Sequence, residues 1–220
     1  RFCLHLYCVN PSVNLQECLE RGKSTIFFSA TLLPVNYYKN LLSSKKDNYA
    51  VYADSAFREE QRLLFIGRDV SSLYTRRTLG EFHRIALYIQ QVLRAKKGNY
   101  LIFFPSYRFM EDVYEQFLAV NEQEADCMMQ SGNMNEADRE EFIQEFSNPR
   151  GKSLAAFCVL GGIFSEGIDL KEDLLIGVLI VGTGLPQICN QREILKEYYD
   201  AKGEQGFDYA YRYPGMNKVL

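Results

Sequence analysis

Residues 161–169 read Gly-Gly-Ile-Phe-Ser-Glu-Gly-Ile-Asp. The three glycines let backbone amides come close to a charged group, and Glu166 and Asp169 add two carboxylates. The apolar run Leu154–Leu160 leads into this segment and Leu174–Val181 follows it. A short apolar run bounded by glycine predicts a parallel strand covered on both faces. The loop after such a strand lies at the carboxyl edge of the sheet, where open α/β folds take their ligands. A second segment with chemical content is Phe103-Phe104-Pro105-Ser106-Tyr107. Ser106 is a good N-cap, leaving helix amides that suit a phosphate, and Tyr107 offers a stacking face. A third is Ser29-Ala30-Thr31-Leu32, which puts two hydroxyls at the end of an apolar run.

These segments need a scaffold. From Leu79 the apolar residues Phe82, Ile85, Ala86, Ile89, Val92 and Leu93 follow helical spacing. Gly98-Asn99 ends that helix, and Tyr100–Phe104 reads as a strand. A helix marked by Met110, Val113, Phe117 and Leu118 follows, then a strand over Ala125–Met129. A charged helix is predicted over Asn135–Phe146 and a last one over Cys189–Ala201, before an aromatic tail. Upstream, strands are predicted at Arg1–Cys8, Ser24–Ala30, Tyr49–Tyr52 and Leu63–Ile66, with helices at Ser12–Arg21 and Val35–Leu42. Alternating strands and helices imply an α/β fold with a parallel sheet and helices on both faces. The expected division is a segment over residues 1–75 and a domain over 76–220.

The 220 residues are 47% apolar, enough for a substantial core, and the net charge of −3 advertises no basic field for nucleic acid. Six cysteines stand without a CxxC pair, and only His5 and His83 could add imidazoles, so no metal site is expected. The scattered cysteines fit a reducing, cytoplasmic setting, and no apolar run is long enough to span a membrane. Lys45-Lys46, Arg76-Arg77 and Lys96-Lys97 read as solvated surface, with Arg76-Arg77 the best placed to touch nucleic acid. The tyrosines of the tail read as packing for the last helix.

Gly22-Lys23-Ser24 and Gly151-Lys152-Ser153 imitate the end of a phosphate-binding P-loop. That loop needs a glycine five positions before the one that precedes its lysine, and a helix after it. Glu17 and Phe146 stand at those positions, and a strand is predicted after each.

Ser-Ala-Thr-Leu at 29–32, Phe-Phe-Pro-Ser-Tyr at 103–107 and Ser-Glu-Gly-Ile-Asp at 165–169 come in the order and spacing of motifs III, IV and V of the XPD/DinG-type superfamily 2 helicases. The chain resembles that family over nearly its whole length. The resemblance implies a RecA-like second motor domain, ATP with Mg²⁺ in a cleft shared with a first motor domain, and single-stranded or forked DNA across the top. It implies that Gly167 and Asp169 face the nucleotide, Asp169 accepting from a ribose hydroxyl or holding an arginine finger. Glu166 belongs to the same nucleotide set, at the end that turns with Ser165 toward DNA. Ser106 and Tyr107 would contact the DNA backbone, and Ser29, Ala30 and Thr31 would couple nucleotide state to DNA movement.

Walker A, Walker B and any iron–sulfur cysteines would lie in the remainder of such a protein, and motif VI is expected just after Leu220. The chain alone is therefore expected to be inactive. The rivals are a non-catalytic RecA-like module that holds nucleic acid or protein, and an unrelated α/β enzyme such as a nucleotide-sugar transferase.

Overall fold

The computed structural model describes residues 4–29, 31–55, 57–165 and 168–219. The chain divides into two compact units. One comprises residues up to Phe65 together with Leu185–Lys218, and the other Ile66–Gly184.

The second unit is an α/β layer structure. Helix α3 (Leu79–Ala95) starts behind Thr78, whose hydroxyl accepts from the Glu81 amide at 3.3 Å. It leads into β1 (Asn99–Phe104), α4 (Tyr107–Val120), β2 (Ala125–Met129), α5 (Glu136–Gln144), β3 (Ser153–Val159) and β4 (Gly177–Ile180). The shorter helices α1 (Ser12–Leu19) and α2 (Val35–Leu42) precede them in the other unit. Asn135 and Asp138 form a reciprocal capping box that starts α5, which offsets that helix's few buried side chains.

All strand pairs are parallel, in the order β2-β3-β1-β4. Because side chains alternate along a strand, the buried runs split between two faces. Tyr100, Ile102 and Phe104, with Ala155, Phe157 and Val159, join the helices α3 and α4 in one cluster. Leu101 and Phe103, with Leu154, Ala156 and Cys158, meet Phe142 and Phe146 on the other. The connection from β1 to β2 steps past β3, and that from β2 to β3 steps back. Right-handed crossovers in opposite directions place α4 and α5 on opposite faces. The centre of the first face is Phe157, fully buried, with the rings of Phe104, Tyr114 and Phe117 at 5.8, 4.9 and 5.3 Å.

Glu81 ties the segment before α3 to this unit. Its buried carboxylate accepts from Ser71 N–H and Arg84 and lies 3.8 Å from Arg76. Burial opposes charge on Glu81, but the bond from Arg84, the Ser71 amide and the charges of Arg84 and Arg76 outweigh it and hold its carboxyl below the usual range. Arg77 donates to Ser72 O at 3.3 Å and lies 4.2 Å from the Phe109 ring centre. Arg77 is thus engaged inside its own unit rather than being solvated surface, whereas Arg76 remains exposed beside Glu81.

In the other unit α6 (Asn190–Ala201) is followed by a π-helical turn, Asp208–Arg212, and α7 (Tyr213–Met216), so the aromatic tail is helical. Tyr199 stacks on Tyr209 at 4.0 Å, and Tyr37 of α2 packs against Tyr209 and Tyr213. The tail's tyrosines pack, as their sequence predicts.

The upstream strand expectations fail. No strand forms over 4–8, 24–29, 49–52 or 63–66, and Ile26, Phe28, Tyr49, Val51 and Leu63 are exposed. An apolar alternating run becomes a strand only when a neighbour supplies its ladder, and no described residue does so here. β4 is also shorter than the apolar run 174–181, since Glu172–Leu174 forms a 3₁₀ turn first.

Candidate functional site

Three loops leave the carboxyl ends of β1, β2 and β3, and the parallel order brings them together. Phe104 pairs with Val159, and Leu160 N–H donates to Phe104 O at 2.8 Å, so the first and third loops start side by side. In the first, Ser106 caps α4 by accepting from Phe109 N–H at 3.4 Å. The amides of Tyr107 and Arg108 open the helix and have no intrahelical acceptor. Tyr107 remains 36% exposed, and Arg108, the next residue, is exposed as well.

The third loop closes on itself. Gly161 N–H donates to Ser165 Oγ at 2.8 Å, and that hydroxyl donates to Val159 O at 3.2 Å. Gly162 N–H also donates to Val159 O, at 3.0 Å, and Ser165 N–H to Gly162 O at 3.0 Å. Gly161 needs its lack of a side chain for a φ of +70°. The first two glycines therefore shape a turn whose amides point inward, rather than offering them to a ligand. The Ser165 hydroxyl proton is spent in the same turn. Phe164 anchors the loop, 1% exposed and stacked on Phe142 with centres 4.2 Å apart. Glu166 and Gly167 lie outside the described residues. Asp169 follows with its side chain 77% exposed, 3.2 Å from Lys171.

The second loop contributes a residue that motif reasoning missed. Gln130, 2% exposed, directly follows β2. Its Oε1 accepts from Val159 N–H at 3.0 Å, and its Nε2 donates to the Tyr107 hydroxyl at 2.9 Å. Its own N–H donates to Phe157 O at 2.8 Å. A single side chain thus joins all three loops. The sequence signal was weak: a glutamine beside Ser131-Gly132 at a strand end looks like turn material.

Ser29 and Thr31 belong to the other unit and hold each other, Thr31 N–H donating to Ser29 Oγ at 3.2 Å. Ala30 lies outside the described residues. Neither Gly-Lys-Ser segment is followed by a helix, and the second runs directly into β3. Lys152 instead lines a cavity of about 190 Å³ with Arg94 and Lys97, at the end of the sheet opposite the three loops.

The helicase C-terminal domain family matches residues 89–220, more than half of the chain, a span that takes in all three loops of the site edge. This chain belongs to the helicase C-terminal domain family. Its sequence is 25% identical over 218 residues to the ATP-dependent DNA helicase XPD of Sulfolobus acidocaldarius, covering 94% of this chain and 37% of that protein. It is 23% identical over 223 residues to the regulator of telomere elongation helicase 1 of Mus spretus, covering 92% and 18%. A solved XPD helicase structure superposes with a TM-score of 0.68 at 24% identity, covering 96% of this chain and 38% of that one, which establishes the shared α/β fold. The helicase C-terminal domain chain thus spans less than two-fifths of the length of these relatives. Among its described residues, no helix is long and apolar enough to cross a membrane.

Proposed function

We propose that this chain is the second motor half of an ATP-dependent DNA helicase, which translocates on single-stranded DNA in the 5′ to 3′ direction and serves DNA repair or replication. The observation that carries the reading is the joining of three loops through Gln130 at the carboxyl edge of the sheet. That edge carries an aromatic face at Tyr107, free amides at the start of α4 and an exposed cation at Arg108. Phosphodiester oxygens accept from such amides and cations, and bases stack on such a ring.

In this reading Ser106 and Tyr107 meet the DNA, and Ser165 acts as the brace of its loop. Asp169 serves the nucleotide side together with Glu166 and Gly167. Its carboxylate fits that task, because an exposed ion pair with Lys171 is worth little and yields readily to a ribose hydroxyl or a guanidinium. Bound ATP with Mg²⁺ supplies the phosphoryl group whose hydrolysis drives the motor. Neither Gly-Lys-Ser segment forms a phosphate cradle, so that role is assigned to a first motor domain. The exposed run with Ile26 and Phe28 is assigned to the same domain's sheet, where Ser29, Ala30 and Thr31 would relay nucleotide state.

The test is single-strand-stimulated ATP hydrolysis and unwinding of a 5′-tailed fork by the full-length protein. Asp169→Ala should lower the ATPase rate about a hundredfold while leaving single-strand affinity within about threefold. A protein that binds single strands but never hydrolyses ATP would instead be a non-catalytic binding module. ATP hydrolysis by the 220-residue chain alone would contradict the division of the site between two domains.

A further inference from the structure

The Gln130 amide has only one chemically consistent orientation. Val159 N–H is a pure donor, so the atom 3.0 Å from it is the carbonyl oxygen Oε1. The NH₂ group must then face the Tyr107 hydroxyl at 2.9 Å. An amide nitrogen has no lone pair to offer, so the Tyr107 oxygen accepts there and its own hydrogen is left over. Among the described residues that hydroxyl has no other hydrogen-bond partner. The packing holds this arrangement in place. A side chain on Gly162 would lie 2.9 Å from Gln130 Nε2, and the Cβ position of Gly132 lies 3.8 Å from the Tyr107 ring.

The helix end that carries Tyr107 presents further donors. The Tyr107 and Arg108 amides open α4, and the Arg108 side chain is exposed beside them. An acceptor without hydrogens, such as a phosphodiester oxygen, suits such a set of donors.

We propose that Gln130 is a positioning residue that forces the Tyr107 hydroxyl to donate outward, to a phosphate oxygen of single-stranded nucleic acid. This rests on the reading of the three-loop edge as a DNA-binding surface. Gln130 does not touch the strand. It acts by occupying the tyrosine's acceptor side, and its other end ties that tyrosine to the start of the Gly161–Asp169 loop.

Gln130→Glu separates this role from simple packing. A carboxylate there still accepts from Val159 N–H, but toward Tyr107 it can also only accept, which turns the hydroxyl hydrogen inward. The experiment measures affinity of the full-length protein for an oligo-dT strand, with thermal melting as a control. Tyr107→Phe is expected to weaken binding about tenfold, the loss of one hydrogen bond to a charged group. Gln130→Glu should weaken it by a similar factor, and the double variant by no more than about twofold beyond either single change. Lowering the pH protonates the introduced carboxyl, restores a donor toward Tyr107, and should recover affinity in Gln130→Glu but not in Tyr107→Phe. Losses that multiply to about a hundredfold in the double variant, or wild-type affinity in Tyr107→Phe, overturn the proposal and leave the DNA-binding reading standing. If the wild-type protein fails to bind the strand, both fall. Should Gln130→Glu not fold, Gln130→Leu, which frees the acceptor side of the hydroxyl, takes its place in the same cycle with Tyr107→Phe, and losses that multiply in the double variant again overturn the proposal.

Discussion

Gly162→Ala should damage the site without touching any ligand. The added Cβ would stand 2.9 Å from Gln130 Nε2, 2.9 Å from Val159 O and 3.3 Å from Gln130 Oε1. The φ of Gly162 lies outside the left-handed region, so the cost is steric rather than conformational. Overpacking of this kind costs about 1–3 kcal/mol. If the Gln130 amide yields instead, it abandons a buried partner for about the same cost. The two are alternative routes to relief, so about 2 kcal/mol is the expected loss, felt mainly around the third loop. Amide hydrogen exchange at Val159 reads it directly, because that N–H donates to Gln130 Oε1. A loss of 2 kcal/mol corresponds to exchange roughly 30-fold faster. Gly132→Ala is the control: its added Cβ meets the Tyr107 ring at 3.8 Å, an ordinary contact, and its φ is not in the left-handed region. It should leave the exchange of Val159 within about threefold of wild type. Wild-type exchange at Val159 in Gly162→Ala would refute the reasoning, since the space beside Gln130 would then not be limiting.

Two further perturbations probe the scaffold. Phe157→Ala removes a fully buried ring that three aromatics surround, and should cost about 3–5 kcal/mol in urea unfolding. A loss below about 1.5 kcal/mol would mean that the sheet face recloses around the hole. Glu81 makes stability pH-dependent. Its folded carboxyl titrates below the unfolded one, so its contribution is complete above the ordinary carboxylate pKa and is lost as pH falls through the lower folded value. The wild type should lose more stability between pH 7 and 3 than Glu81→Gln does, by about 1–3 kcal/mol. Parallel acid titrations of the two proteins would discount Glu81 as the anchor of the Ile66–Thr78 segment.

The second unit was largely legible in the sequence. β2 falls on Ala125–Met129 and α5 within a residue of its predicted start, because buried strands are short apolar runs and a capping residue marks a helix start. Ser106 caps α4 as its type and place require. The upstream strands were misread for a definite reason. Ser24–Phe28 and Tyr49–Tyr52 have the composition of strands, but a composition cannot supply the neighbour that completes a ladder. The loop at 161–165 was half legible. Glycine content correctly marked a tight turn, yet the direction of its amides depends on Ser165 Oγ and Val159 O, which only the folded backbone brings within reach.

By itself the sequence determined the kinds of elements, the order of the three motifs and the presence of a carboxylate and an aromatic at the carboxyl ends of strands. Those are local properties, written in residue type and period. The tertiary structure decided which strand ends are neighbours, since the order β2-β3-β1-β4 places residues far apart in the chain on one edge. It also decided that Gln130 lies between Tyr107 and Val159. A side-chain amide has a donor end and an acceptor end, but what each end holds is fixed by packing at a distance. The polarity of the Tyr107 hydroxyl is therefore a property of the fold, although every group that sets it is visible in the sequence.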